Sequence, residues 1–168
     1  MAATVEIDEQ NGAGAGVTTH NIPDTDMSTE DSATTDPVAN PVTPGSNTME
    51  KFQKIDVTAM GGSSLIDNLK IFRTGALGGA AVHLTNARET SYAGAATYVA
   101  PVTTNSPLAI VAMPTSVPAG ANLGIGGSLT GSLSAPGQSD HLVHQIQTNA
   151  ADVAGSTSTL NYQYDETA

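Results

Sequence analysis

Apolar and polar side chains alternate in residues 158–164, which read Ser158-Thr159-Leu160-Asn161-Tyr162-Gln163-Tyr164. Successive side chains of a strand point to opposite sides, so Leu160, Tyr162 and Tyr164 share one face. The segment before it that shows strand character is His141-Leu142-Val143-His144-Gln145-Ile146-Gln147-Thr148. A loop that contains Ala and Gly lies between the two segments. Together the two segments predict a hairpin of half-buried strands.

Strand character extends back to residue 51. Further candidate strands are 51–59, 66–74, 81–87, 96–102, 108–113 and 123–133. Turn signals separate them, among them Gly61-Gly62, Ser106-Pro107 and Pro136-Gly137. No window of a dozen residues has the period of an amphipathic helix. About eight short strands with this punctuation predict one all-β domain over residues 51–168, a β-sandwich or jelly roll.

The charges of the chain are divided unevenly at residue 50. Residues 1–50 hold nine acidic residues and no Lys or Arg, so they carry −9 of the net charge of −11. They also hold four prolines and a Gly/Ala run at 12–16. Such a polar segment buries too little apolar surface to offset its ordering entropy. We therefore expect an extended acidic arm over residues 1–50, flexible in the free protein and ordered on a partner.

Two groups of residues are candidates for partner binding. The segment Thr4-Val5-Glu6-Ile7-Asp8 alternates, so it could add as a strand to a partner's sheet edge through Val5 and Ile7. All five basic residues lie within 51–88. An acceptor patch for the acidic segment of a neighbouring subunit could consist of Lys51, Lys54, Lys70 and Arg73. The alternative is that these cations are ordinary solvated side chains.

The residue types that usually carry catalysis are not arranged for it. His141 and His144 are three apart on a predicted strand, so they face opposite sides and cannot share a metal. His20 and His83 are distant in sequence, and the chain has no Cys to complete a zinc site. Asp140 is adjacent to His141 on the predicted strand and cannot orient it for a hydrolase triad. We therefore expect no enzyme activity and no cofactor.

Two further motifs are incomplete. Asp24-Thr25-Asp26 begins like a calcium loop but lacks the Gly at the sixth position and the Glu at the twelfth. Gly124-x-Gly126-Gly127 lacks the Lys and the helix of a phosphate-binding loop. Glycines clustered in a β protein more often allow tight turns or bulges.

Composition also limits the classes of partner. An acidic chain is a poor partner for nucleic acid, because binding depends on Lys and Arg that neutralise phosphates. No apolar run approaches the roughly 20 residues of a membrane span, so we expect no membrane partner. Six aromatic residues and no Trp leave small aliphatic side chains to fill the core. Such a thin core favours a homo-oligomer or a complex, in which a partner supplies additional burial.

A Gly- and Ser-rich stretch from Gly126 to Asp140 leads into a Leu-Val-x-Gln-Ile-Gln strand. The segment Thr159-Leu160-Asn161-Tyr162-Gln163-Tyr164-Asp165-Glu166 then follows. This order of motifs resembles the closing segment of small β-sandwich virion proteins of tailed bacteriophages. The resemblance implies a structural role in the virion, as a capsid decoration (cement) protein or a tail component. It also implies a partner, either the major capsid protein or another virion protein.

Three functions follow from these observations. The first is a decoration protein that docks through its arm, whose acidic charge favours a position away from the genome. Its closest rival is a tail or baseplate component. The second is a host- or carbohydrate-binding module that would use Tyr92 and Tyr98, which are not assigned to a core stripe. The third is a hydrolase, which the missing constellations disfavour.

Overall fold

A computed structural model of the chain describes residues 1–92, 105–106, 108–152 and 155–168. This part of the chain is all-β and contains no helix. The nine strands are β1 (Thr4–Asn11), β2 (Val17–Thr19), β3 (Lys51–Ala59), β4 (Leu65–Thr74), β5 (Val82–Glu89), β6 (Val111–Ala112), β7 (Gly137–Gln138), β8 (His141–Gln147) and β9 (Thr159–Thr167).

The strands form two antiparallel sheets. The larger sheet has seven strands in the order β2-β1-β3-β8-β5-β6, and the short β7 pairs with the end of β3. The smaller sheet contains β4 and β9. β3 is the organising strand of the larger sheet, because it pairs with β1 along most of its length and with both β7 and β8.

Apolar side chains from both sheets share one core. Ile55 on β3 and Leu142 on β8 come from the larger sheet, and Ile66 and Ile71 on β4 come from the smaller one. The β9 stripe Leu160, Tyr162 and Tyr164 packs against this core, as the alternation of residues 158–164 predicts. Two antiparallel sheets around a shared core are consistent with a β-sandwich.

A second, smaller apolar cluster covers the other face of the larger sheet. Phe52 on β3 lies directly opposite Val143 on β8, so both side chains are on the same face. Tyr92 packs edge-to-face on Phe52 with ring centroids 5.0 Å apart, and Ala109 completes the buried set. The larger sheet is therefore buried in part on both faces.

The hairpin predicted for residues 141–148 and 158–164 is not formed. β8 lies between β3 and β5 in the larger sheet, whereas β9 pairs with β4 in the smaller one. Alternation determines which side chains share a face, but it does not determine which strand is the neighbour. The inward stripe of β9 was therefore predicted correctly and its partner strand was not.

Other strand predictions differ in their success. Segments 51–59, 66–74 and 81–87 correspond to β3, β4 and β5. The candidate strand 108–113 is reduced to β6, and 96–102 lies outside the described residues. Residues 123–133 form no strand, because Gly126 and Gly127 have positive φ and reverse the chain between the bridged residues Ile125 and Ser128.

The first nineteen residues do not form the predicted extended arm. β1 runs antiparallel to β3, with partners from Thr4–Ala59 to Gln10–Phe52, and β2 folds back along β1. Val5 and Ile7 lie opposite Val57 and Ile55 and pack against the main core. The alternation that predicted strand addition to a partner is thus satisfied within the same chain.

Residues 20–50 cover the surface without forming a strand. Ser28, Thr48 and Glu50 are nevertheless buried in this segment. Thr48 N donates to the carbonyl of Ile146 at 2.9 Å, and Met49 N donates to the carbonyl of Ser28 at 2.8 Å. Hydrogen bonds to the backbone therefore hold this polar segment on the fold at these points.

Candidate functional site

The residues predicted to bind a partner are dispersed in the structure. Val5 and Ile7 are engaged in the core, as described above. Lys51 is buried on the core face of β3, and Lys54 is half-buried on the opposite face. Lys70 and Arg73 lie on β4, in the smaller sheet. The structure does not bring the four cations together as one patch.

Lys51 belongs to a buried polar network that we call the Glu9–Lys51 network. Its Nζ donates to Glu9 Oε1 at 2.9 Å, and both side chains are fully buried. Nζ also donates to the carbonyl of Ser32. Gln53 Nε2 donates to Glu9 Oε2 at 2.8 Å, and Tyr162 Oη donates to Gln53 Oε1 at 2.7 Å. The network therefore connects β1, β3, β9 and the segment 20–50.

Replacing Tyr162 with Phe should lower the free energy of unfolding by about 1–2 kcal/mol, because the buried Gln53 Oε1 loses its donor. Burial raises the pKa of Tyr162 well above its ordinary value, with Glu9 adding to the effect, so the hydroxyl remains a donor at neutral pH. Urea unfolding followed by circular dichroism measures the loss. The control is Tyr164→Phe on the same stripe, and an equal loss in both variants would contradict this role of the Tyr162 hydroxyl.

Two histidines that are distant in sequence meet in the interior. His83 Nε2 on β5 and His144 Nδ1 on β8 are 2.9 Å apart, and both side chains are buried. His83 Nδ1 and His144 Nε2 have no hydrogen-bond partner among the described residues. Burial lowers the pKa of His83 to about 4, with the charge of Arg73 adding to the effect. The pair is therefore uncharged at neutral pH.

Burial also lowers the pKa of His144 well below its ordinary value, and the charges of His83 and Lys51 act in the same direction. Sequence reasoning missed the His83–His144 pair, because it depends on the neighbour relation of β5 and β8. Both histidines do occupy core-facing strand positions, but that signal alone does not say which strands are adjacent.

His141 lies on the other face of β8, as predicted. Its ring is near Phe52 and Tyr92, and its Nε2 is 2.9 Å from Gln10 Oε1. Burial lowers the pKa of His141, with Lys54 adding to the effect. Asp140 does not orient this ring: its carboxylate accepts from the backbone N–H of Gly127 at 2.9 Å.

A mixed carboxylate and imidazole cluster lies where the β1–β2 hairpin meets β3. Glu6, Asp8, His20 and Asp56 each offer one ligand atom, and these atoms all lie within 4.8 Å of one another. We call this set the Asp8 cluster. Asp8 is fully buried, with Oδ2 2.8 Å from His20 Nδ1, and its Oδ1 accepts from Asn21 N at 3.2 Å.

Strand pairing explains why these residues meet. Glu6 and Asp8 alternate along β1 and so share a face, and Glu6 lies directly opposite Asp56 of β3. Ile22 N donates to the carbonyl of Ile7 at 2.9 Å, which brings the turn after β2, and with it His20, back to β1. The spacing Glu6-x-Asp8 indicates from the sequence that these two carboxylates share a strand face. The cluster itself forms only because β1 pairs with β3 of the same chain.

An exposed apolar edge is the other surface feature. β6 pairs only with β5, so its outer side has no strand neighbour in the described part of the chain. Ile110, just before β6, and Val111 on β6 are 68% and 61% exposed. We call Ile110 and Val111 the β6 edge.

Of the two tyrosines proposed as sugar-stacking platforms, Tyr92 is buried, and its Oη donates to the carbonyl of Gly12 at 2.7 Å. Tyr98 lies outside the described residues.

Comparisons with protein-family models, with curated proteins and with solved structures found no match to this chain. Among the residues that the structure describes, no helix has the length and apolar character needed to cross a membrane. The candidate sites therefore rest on geometry and chemistry alone.

Proposed function

We propose that the chain is a non-enzymatic structural protein of a virion, with capsid decoration as its role and a β-sandwich as its displayed body. The all-β fold and the motifs within residues 126–166 support this class of protein. The observation that carries the proposal is the β6 edge, an exposed apolar strand on a chain with a net charge of −11.

An edge strand has unpaired N–H and C=O groups, which pair readily with a strand of another chain. Soluble proteins usually protect such edges with charged side chains or proline, whereas Ile110 and Val111 are neutral, β-branched and exposed. The acidic balance disfavours nucleic acid as the partner. The proposed partner is therefore a protein, such as the major capsid protein, that adds a strand or an apolar surface at β6.

The proposed docking surface is the β6 edge and not the N-terminal segment predicted from the sequence. Val5 and Ile7 already lie opposite β3 and pack against the main core, so their side chains are engaged within the chain. A tail or baseplate protein would use the same edge, so the location in the particle is an outcome of the test. A carbohydrate-binding role gains no support from Tyr92, because its ring is buried on Phe52.

Replacing Val111 with Lys should weaken binding to phage heads by about tenfold or more, because it places a charge in the proposed apolar contact. The measurement is co-sedimentation of the purified protein with heads and with tails of the phage that encodes the chain. The control is Val38→Lys, because Val38 is 86% exposed but lies on no strand.

Binding to tails alone would replace decoration with the tail role. Binding to neither particle would refute the proposed virion function. Equal weakening by Val38→Lys and Val111→Lys would show that charge in general, and not the β6 edge, controls binding.

A further inference from the structure

We propose that the Asp8 cluster binds a divalent transition-metal cation, and that this ion fastens the β1–β2 hairpin to β3. The cluster combines three carboxylates with one imidazole, so it is a mixed oxygen and nitrogen donor set rather than an acidic patch. Its members come from three parts of the fold: β1, the turn after β2, and β3.

The charge balance of the cluster favours a cation. Lys54 is the strand partner of Asp8, but among the described residues no Lys or Arg comes within ion-pair distance of Glu6, Asp8 or Asp56. The Asp8 carboxylate is hydrogen-bonded to His20 instead. Asp8 is fully buried, and carboxylates that are this close repel each other unless a positive charge or a proton compensates them. The Glu6 carboxylate makes no hydrogen bond within the described part of the chain, so it is available as a ligand.

The geometry is close to that of a metal site. Ligand atoms around a tetrahedral zinc ion lie roughly 3.3 Å apart, given bonds of about 2.0 Å. His20 Nδ1 and Asp8 Oδ2 are 2.8 Å apart in a hydrogen bond, which a bound ion would replace. Atoms up to 4.8 Å apart require only side-chain movements, and Glu6 is half-buried while His20 is exposed, so both can adjust. Asp8 would serve as the fixed ligand.

The donor types indicate which ions fit. Imidazole prefers zinc and neighbouring transition metals, whereas sites for calcium and magnesium consist of oxygen ligands. Three carboxylates alone would also accept calcium. The presence of His20 therefore predicts a preference for Zn²⁺ over Ca²⁺, and this preference should depend on the imidazole.

The test is isothermal titration of the metal-free full chain with ZnCl₂ and, separately, with CaCl₂. We expect one Zn²⁺ per chain. Glu6→Gln and His20→Ala should each weaken Zn²⁺ binding by about tenfold or more, and His20→Ala should affect Ca²⁺ much less. The matched control is Glu30→Gln, because Glu30 is an exposed acid outside the cluster whose replacement removes the same charge.

Two further measurements keep the proposal independent of variant folding. Zn²⁺ at about a hundredfold excess over its dissociation constant should raise the melting temperature of the wild type by about 5–10 °C, and it should have little effect on Glu6→Gln at the same concentration. In NMR spectra, Zn²⁺ should shift the ring signals of His20 and leave those of His83 and His144 unchanged.

Absence of Zn²⁺ binding at about 1 mM would refute the site. Equal weakening in Glu30→Gln and Glu6→Gln would also refute it, because it would indicate diffuse attraction to an acidic surface. Neither result depends on particle binding, so the metal site and the virion role can fail separately.

Discussion

Replacing Lys51 with Met should lower the free energy of unfolding by about 3–5 kcal/mol, because it leaves the fully buried Glu9 without its cation. Gln53 and Asn11 still donate to the Glu9 carboxylate, but neutral donors do not balance its charge. The backbone carbonyl of Ser32 also loses its contact with Nζ. Urea unfolding at pH 7, followed by far-ultraviolet circular dichroism, measures the change.

Two comparisons separate the buried pair from the general effect of removing a lysine. Lys70→Met removes a half-buried cation from β4 and should change the stability by only about 0.5 kcal/mol. The double variant Glu9→Gln/Lys51→Met removes both charges and should recover a large part of the loss. If the double variant is as unstable as Lys51→Met, the loss reflects packing rather than an unpaired charge.

Acidification from pH 7 to 4.5 should destabilise the protein through the His83–His144 pair. The pKa of His83 is about 4 in the folded chain, whereas an unfolded His has a pKa of about 6.5. Below pH 6.5 the unfolded chain therefore binds a proton that the folded chain does not, and the free energy of unfolding falls until the pH approaches 4. His83 alone accounts for about 2–3 kcal/mol at pH 4.5.

His144 changes the stability in the same direction, because burial lowers its pKa as well. Two effects oppose this loss. Acidification reduces the repulsion within a chain of net charge −11. The pKa of Asp26 is raised in the folded chain, mainly by burial and then by Asp24, and this shift favours the folded chain as the pH falls. Total stability is thus a poor readout, and the pH dependence of a variant relative to the wild type is the informative quantity.

The double variant His83→Gln/His144→Gln should have a much smaller slope of stability between pH 6.5 and 4.5. The control is Thr85→Val, because Thr85 lies opposite His144 in the same buried environment and does not titrate. It should retain the wild-type slope even if its stability differs. The same slope in the double variant would mean that other groups control the acid response.

The sequence was a good guide to strands and faces in the second part of the chain. β3, β4, β5, β8 and β9 follow from alternation and turn residues, because both are local signals. The partner of β9 does not follow from them, since the same stripe would be buried against β8 or against β4. Neighbour relations between strands are long-range, and a single sequence holds no direct record of them.

The acidic N-terminal part shows where compositional reasoning fails. Residues 1–50 carry few apolar side chains, yet Glu9, Ser28 and Glu50 are buried because they have polar partners. Lys51 supplies one of these partners, whereas the sequence left two interpretations open, an acceptor patch for another subunit and a solvated side chain. The same error concealed the Asp8 cluster, because Glu6 and Asp8 were counted as arm charges rather than as members of a sheet.

The position of β3 has a consequence for the kinetics of folding. On β3, Phe52 pairs with Gln10 of β1, and Lys51 pairs with His144 of β8. This strand therefore needs partners from segments that lie far before it and far after it in the sequence. Proteins dominated by such pairings fold slowly, typically in milliseconds to seconds, because long loops must close before the contacts form. During synthesis β3 emerges well before β7 and β8, so the edge that these two strands pair with remains unpaired until residues 137–144 leave the ribosome.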